Sequence, residues 1–390
     1  MIKYKNKERK ILNNIIPSRL REARIARGYT LKQLAEMVGV TRQSISQYEL
    51  GRTIPSGEVL RKIIEKLKFP LSFFTKPIEN ENVQNPKSAI FFRSLRSTTQ
   101  KSRNMSSCRI DWVRDIFLYL SNFIDFPKVD IPDVSKFVPN DGLDKDIIED
   151  IAIYVRKYWG LGLGPISNLT LLLEKKGFII SRLELGEKKI DAFSQWRNDR
   201  PFIFLGSDKD SAVRSRFDIA HELAHILFHT DLEQEDLRTP KMLNKIEEEA
   251  NLFAGAFLLP KDSFSQEVLS TSLSHFISLK KRWKVSIAAM IKRCETLDIF
   301  TENQILYLNK QLSINRMRKR EPLDDVLVPE QPSVLRQAVK LLLDNNIKTS
   351  YEILEDLPYG VDEIESLCNL PKGTLTQEGK VIPLNLKKFK

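Results

Sequence analysis

The sequence is short of cysteine, histidine and long apolar runs, and each shortage excludes something. Cys108, Cys294 and Cys368 are isolated and odd in number. No disulfide framework is implied, and three free thiols fit a reducing interior. No apolar run approaches the roughly 18–20 residues of a membrane-spanning helix. The opening residues, MIKYKNKERKILNN, are basic but lack the apolar centre of a secretion signal. A cytoplasmic setting with no membrane partner is therefore expected. Internal repeats and low-complexity tracts are also missing. Histidine occurs four times in 390 residues, yet His221, His225 and His229 fall within nine positions.

What the sequence contains is an ordinary globular composition with one lopsided feature. Hydrophobic residues make up 42% and charged residues 29% of the chain, enough for about two to four compact units with their own cores. The net charge is +11, but residues 1–70 hold 16 Lys and Arg against 6 Asp and Glu, which leaves about +1 for the remainder. A charge excess confined to one segment is the footprint of a polyanion-binding module, a solvated basic tail being the plainer alternative.

That segment reads as short helices. SRLREARIARG ends at Gly28. TLKQLAEMV has Thr30 as N-cap with Gln33 three residues on, the spelling of a capping box, and stops at Gly39. TRQSISQYEL runs from Thr41 to a stop at Gly51, and SGEVLRKIIEKLKF precedes Pro70. Leu34, Ala35, Val38, Val40, Ile45 and Tyr48 fall at the spacings of a shared core. A glycine-containing turn between the second and third helices is a helix-turn-helix arrangement. In such a module the helix from Thr41 to Leu50 enters the major groove of double-stranded DNA. Its non-core face offers Arg42, Gln43, Ser44, Ser46 and Gln47, and Gln can pair with adenine and Arg with guanine in bidentate fashion. Lys32, Arg52 and Arg27 are placed for phosphate contacts. Two half-sites per operator make a homodimer the expected form.

The stretch LKQLAEMVGVTRQSISQYELGRTIPS resembles the XRE (Cro/C1-type) helix-turn-helix family, over about 55 residues. The resemblance implies an ion pair between Arg24 of the first helix and Glu49 at the end of the third. The sequence departs from the family at Leu31, where a glutamine is often found, so individual base contacts do not carry over.

Further along, ENENVQNPKS (79–88) is a polar linker, AIFFRSL a strand candidate and RIDWVRDIFLYLSNFIDF a periodic helix. A second unit begins near Leu143 with helices in DIIEDIAIYVRKYWG and SNLTLLLEKKG. Strands follow in FIISRLEL, KIDAFSQW and RPFIFLG, then a helix from about Asp210 to His229. NKIEEEANLFAGAFLL forms a helix closed by Pro260, with two more near 263–281 and 286–297. The last 90 residues look helical and loop-rich.

His221-Glu222-Leu223-Ala224-His225 fits H-E-x-x-H. On a helix, positions i and i+4 share a face, so both imidazoles can reach one cation. Glu222, one residue along, stands beside that cation and can take a proton from water it has acidified. Two histidines leave a cation under-coordinated, and Glu247, 22 positions after His225, is the candidate third ligand. Asn251, one turn on, would orient a ligand histidine from behind. The competing reading makes Asn244 and Glu247 a capping box at a helix start, where carboxylates gather for dipole reasons alone. His229 continues the series but sits one turn beyond the pair, and reads as a partly exposed helix-end histidine outside the site. Trp196, Arg200 and Phe202 read first as structural, with a groove beside the metal as the alternative.

RFDIAHELAHILFH followed by EEEANLFAGAFLLP resembles the ImmA/IrrE family of metallopeptidase domains, over about Ile147 to Phe300. The resemblance implies a gluzincin-like α+β domain with His221, His225 and Glu247 as Zn²⁺ ligands, another divalent metal being the alternative, and Glu222 as general base. It also implies a protein substrate, often a repressor. The expected fold is mainly α with a small β-sheet, in four segments. These are a helix-turn-helix domain at 1–75, a linker and helical connector at 76–142, the metallopeptidase domain at 143–300 and a helical C-terminal region at 301–390. The expected function is a DNA-binding transcriptional regulator with a zinc-dependent endopeptidase that cleaves a repressor, another regulatory protein or itself. The alternative is a transcription factor whose peptidase-like domain senses a ligand or stress without cleaving.

Overall fold

The computed structural model describes residues 14–77, 91–92, 99–138, 143–183, 192–197, 199–206, 211–229 and 239–376. Contacts divide the chain into two compact units, Met1–Pro77 with Gln337–Lys390, and Ile78–Arg336. The fold is mainly helical with one small sheet. Among the described residues, 301–390 do not form one region: 301–336 belong to the second unit and 337–376 to the first.

The first unit opens with α1 (Pro17–Ala26), α2 (Leu31–Val38), α3 (Arg42–Glu49), α4 (Gly57–Leu67) and α5 (Leu71–Thr75). Local chemistry sets the boundaries. The Thr30 hydroxyl accepts the Gln33 amide and the Gln33 side chain accepts the Thr30 amide, a closed capping box at 3.2 and 2.9 Å. Gly39 ends α2 in the left-handed conformation at φ 77°, and Thr41 caps α3 through the Ser44 amide at 3.1 Å. Leu34, Ala35, Val38 and Ile45 are buried in the shared core, while Val40 and Tyr48 are only partly covered.

The second unit contains β1 (Phe91–Phe92), α6 (Gln100–Ser121), α7 (Lys145–Tyr158), α8 (Leu169–Lys175), β2 (Ile179–Leu183), β3 (Ala192–Arg197) and β4 (Arg200–Gly206). Of AIFFRSL only Phe91 and Phe92 lie within the described residues. The sheet runs β1-β3-β4-β2, with β2 parallel to β4 and the other two pairings antiparallel. β4 is buried from Pro201 onward, as an apolar run flanked by strands and helices must be.

Two long helices follow, α9 (Ala212–Phe228) and α10 (Pro240–Leu258). α9 packs on β3, β4 and α10, and α10 also packs on α7. α10 starts one turn before the expected Asn244: Pro240 occupies its first position and the Thr239 hydroxyl accepts the Met242 amide at 3.3 Å. Glu247 is therefore in the helix interior and caps nothing. The single helix expected at 263–281 is instead α11 (Lys261–Glu267) and α12 (Leu273–Trp283), the second with its own cap at Ser272. α13 (Ile287–Thr296) and α14 (Glu302–Ile314) follow.

The turn from α8 into β2 depends on Gly177. Its φ is +87°, and a Cβ there would sit 2.6 Å from the Lys128 carbonyl oxygen and 2.7 Å from the Val129 Cα. Both obstacles are backbone, so neither can swing away. Gly177→Ala is expected to destabilise the second unit by at least about 2 kcal/mol, read as a lowered denaturant midpoint.

Beyond α14 the chain is held to this unit by carboxylates. Glu330 accepts the Thr170 amide at 2.8 Å and pairs with Arg216 of α9. Glu174 accepts the Ser333 and Val334 amides at 2.7 and 2.9 Å. The chain then forms α15 (Val334–Asp344), α16 (Ser350–Asp356) and α17 (Val361–Leu367). In the first unit Tyr359, just before α17, is buried with its ring 6.1 Å from that of Phe73, and Glu363 pairs with Arg27.

Candidate metal centre and nucleic-acid interface

α9 carries His221, Glu222 and His225, all fully buried, and α10 carries Glu247, whose side chain is 24% exposed. The helical phase places both imidazoles on the face toward α10. Their Nε2 atoms are 3.1 Å apart, and Glu247 Oε2 and Oε1 lie 3.4 Å from His221 Nε2 and 3.8 Å from His225 Nε2. A tetrahedral cation with bonds of about 2.0–2.1 Å requires its donors roughly 3.3–3.4 Å apart. The three donors thus fit a small divalent cation. The His221 ring is turned by Asn251, whose Oδ1 lies 3.2 Å from Nδ1. An amide oxygen only accepts, so Nδ1 carries the proton and the Nε2 lone pair faces the other donors.

Glu222 points toward the sheet, where the Ser194 hydroxyl of β3 donates to its Oε2 at 2.6 Å. Ser194 was not legible as a partner, because it belongs to a strand whose register no local pattern fixes. His229 differs from its expected place. It is 3% exposed, its Nδ1 lies 2.8 Å from His225 Nδ1, and its Nε2 lies 3.0 Å from Glu249 Oε2. The cause is the end of α9: His229 leaves helical geometry at φ −116° and ψ 15°, which brings its ring within 5.0 Å of that of His225.

Trp196, Arg200 and Phe202 do not line this site. Trp196 donates to the Ile226 carbonyl at 3.4 Å, Arg200 to the carbonyls of Pro127 and Gly177 at 2.9 and 2.6 Å, and Phe202 is buried against Phe117. An open cleft of about 950 Å³ adjoins the donors instead, lined among others by Phe217, Asp218, Glu247, Asn251 and Ala289. Cys294 and Cys368 are buried, and that burial pushes both thiols up to about 12, which disfavours the reactive thiolate.

On the first unit, Arg42, Gln43, Lys32 and Arg52 are exposed, and Ser46 and Gln47 partly so. Ser44 is half committed, its hydroxyl 2.9 Å from that of Thr41 within the cap. Arg24 grips Glu49 through two bonds of 2.6 and 2.7 Å, which ties α1 to the end of α3. Arg27 is unsuited to a phosphate contact. It donates to the carbonyls of Leu67 and Lys68 at 2.7 and 3.2 Å, pairs with Glu363 and stacks 4.2 Å from the Phe69 ring centre.

Residues 173–295 match the model of the IrrE N-terminal-like domain, and residues 20–74 match a helix-turn-helix model. The chain is 40% identical over 72 residues to a Pyrococcus furiosus protein named "Putative HTH-type transcriptional regulatory protein". The match covers 17% of this chain and 23% of that one. It is 33% identical over 58 residues to an SPbeta prophage-derived uncharacterized HTH-type transcriptional regulator of Bacillus subtilis, covering 15% of this chain and 54% of that one. The chain thus spans about half the length of one curated relative and under a quarter of the other. Among the described residues, no helix is long and apolar enough to cross a membrane. The helix-turn-helix match implies DNA binding. The chain joins an N-terminal helix-turn-helix domain of the XRE type to a metallopeptidase-type domain of the ImmA/IrrE family.

Proposed function

We propose that the chain is a cytoplasmic DNA-binding transcriptional regulator whose second unit is a zinc-dependent endopeptidase. Its substrate is a regulatory protein, either a repressor or this chain itself. One observation carries the reading: donor atoms of His221, His225 and Glu247 meet at 3.1–3.8 Å, and the residue next to His221, Glu222, is buried with its carboxylate fixed by Ser194 at 2.6 Å. Zn²⁺ suits a His₂Glu set, another small divalent cation being the alternative occupant. When bound, the cation supplies Lewis acidity toward water and a peptide carbonyl. Three protein donors leave a position open, which suits catalysis more than a structural role. Glu222 takes the proton of the attacking water and hands it to the leaving amine. The Ser194 hydroxyl, 2.6 Å from Glu222 Oε2, holds the orientation of that carboxylate.

The edge of β3 supports a peptide substrate. It pairs with β1, with Phe91 opposite Ser194, so this edge accepts an extended strand beside the residue that holds Glu222. A substrate segment adding there by backbone pairing would displace β1 and lie one strand spacing, about 4.8 Å, from β3. The decisive experiment compares protein termini in cells expressing the wild type or Glu222→Gln. A regulatory protein cut only in wild-type cells supports the reading. A wild type that holds zinc yet cuts neither itself nor any co-expressed repressor makes the domain a non-cleaving sensor.

For the first unit we propose that α3 reads an operator as part of a homodimer on two half-sites. On duplexes selected from a random pool, Gln43→Ala is expected to cost about 1–3 kcal/mol and relax specificity at one base pair. Arg52→Ala is expected to weaken binding to all sequences and reduce the salt slope by about one. Occupancy indifferent to salt would contradict the assignment.

A further inference from the structure

The two histidines of the donor cluster are backed differently. Behind His221 stands a neutral amide, Asn251, at 3.2 Å. Behind His225 stands a line of two groups: His225 Nδ1 to His229 Nδ1 at 2.8 Å, then His229 Nε2 to Glu249 Oε2 at 3.0 Å. All of it is buried, His229 at 3% and Glu249 at 7% exposure. The outer end reaches Lys245, 3.8 Å from the second Glu249 oxygen.

Proton positions along this line follow from one another. An ionised carboxylate only accepts, and a neutral imidazole has one N–H and one lone pair. Glu249 therefore requires the proton of His229 on Nε2. That leaves His229 Nδ1 as an acceptor, which requires the proton of His225 on Nδ1. The lone pair of His225 is then on Nε2, facing Glu247 and His221. A carboxylate two groups away thus selects the one tautomer of His225 that can donate to a cation. The line also sets the ring orientation, because both nitrogens of His229 are engaged at near-ideal hydrogen-bond lengths.

We infer that His229 and Glu249 are positioning residues for His225, acting as a tandem in place of the single carboxylate or carbonyl that commonly backs a metal-binding histidine. The inference rests on the reading that the cluster binds a divalent cation. It concerns orientation and tautomer alone, and neither residue touches cation or substrate. Glu249 is one turn from Lys245 and two residues from Glu247, so α10 supplies both a donor to the cluster and the far anchor of the opposite ligand.

The test is Zn²⁺ affinity of the full-length chain by chelator competition, with the melting temperature of the metal-free protein measured alongside. His229→Phe and Glu249→Leu are each expected to weaken Zn²⁺ binding by about 10–100-fold. Glu249→Gln should retain most of the affinity, because the amide oxygen still accepts the His229 proton. The double variant His229→Phe/Glu249→Leu should be no weaker than His229→Phe, since Glu249 acts only through His229. In the zinc-loaded wild type, ¹⁵N spectra should place the His225 proton on Nδ1. A purely structural pair would lower the melting temperature and leave zinc affinity of the folded chain within about threefold, and that result overturns the inference. Loss in Glu249→Gln equal to that in Glu249→Leu overturns it as well. A wild type that fails to bind zinc at all refutes instead the reading of the cluster as a metal centre.

Discussion

Replacing Glu222 with glutamine is expected to slow peptide hydrolysis by about 10²–10⁴-fold while zinc content and melting temperature stay near wild type. The geometry separates these effects. Glu222 is fully buried and points to the sheet, where it accepts the Ser194 hydroxyl at 2.6 Å. Glutamine has the same shape, and its carbonyl oxygen can keep that bond, but it cannot take up a proton. The cation would be held by His221, His225 and Glu247, none of which is altered. Loss should therefore fall on kcat and leave KM little changed. Removing a donor, as in His221→Ala, should abolish zinc retention and cleavage together, and a strong chelator applied to the wild type should do the same. The measurement is accumulation of the cleaved product in a timed incubation with the substrate found by comparing protein termini. If Glu222→Gln cleaves at the wild-type rate while retaining zinc, the general base is another group.

Much of the donor cluster was legible because helical phase acts over four residues. His221 and His225 needed only α9 to be a helix, and Glu247 needed only a second helix at a plausible distance in sequence. Asn251 followed from the same periodicity. His229 was misplaced for an identifiable reason: the helix stops at Phe228, and a residue outside helical geometry no longer obeys the phase. Glu249 carries no local signal, since it is one of three consecutive glutamates and only burial against His229 tells it from Glu248. Ser194 and the β1–β3 pairing depend on strand register, which contacts across the fold decide. Charge and position alone suggest a phosphate contact for Arg27, whereas the partners that consume it, Leu67, Lys68 and Glu363, come from other segments. The part played by residues 315–336 was hidden for the opposite reason. Its anchoring side chains are Glu321, Asp324 and Glu330, residue types that composition assigns to the surface.

The buried charge cluster in that segment gives the largest expected effect on stability. Lys280 of α12 is fully buried, with Nζ 2.9 Å from Glu321 Oε2 and 2.7 Å from Asp324 Oδ1. Glu321 also accepts the Ile287 and Ala288 amides at 2.9 and 3.1 Å, capping the start of α13, and Asp324 accepts the Ser211 hydroxyl at 3.1 Å at the start of α9. Lys280→Met removes the cation and leaves two buried carboxylates without their counter-charge. The expected loss is about 3–5 kcal/mol, read from denaturant unfolding of the full-length chain. Lys280→Met/Asp324→Asn should recover part of it, because one of the two stranded charges is then gone. Acid should erode the same stabilisation in the wild type. Burial alone would raise the Asp324 carboxyl, but hydrogen bonds from Lys280, the Glu321 amide and Ser211 hold it below its ordinary value. A carboxyl lowered in the folded state binds its proton more readily once unfolded. Its contribution is therefore complete above about pH 4 and fades as pH falls through the folded-state value. Lys280→Met should weaken or reverse this acid dependence, since the Glu321 amide and Ser211 alone are left to oppose the burial that raises Asp324. A midpoint for Lys280→Met within about 0.5 kcal/mol of wild type would mean that water reaches the cluster and that the segment is not anchored by it.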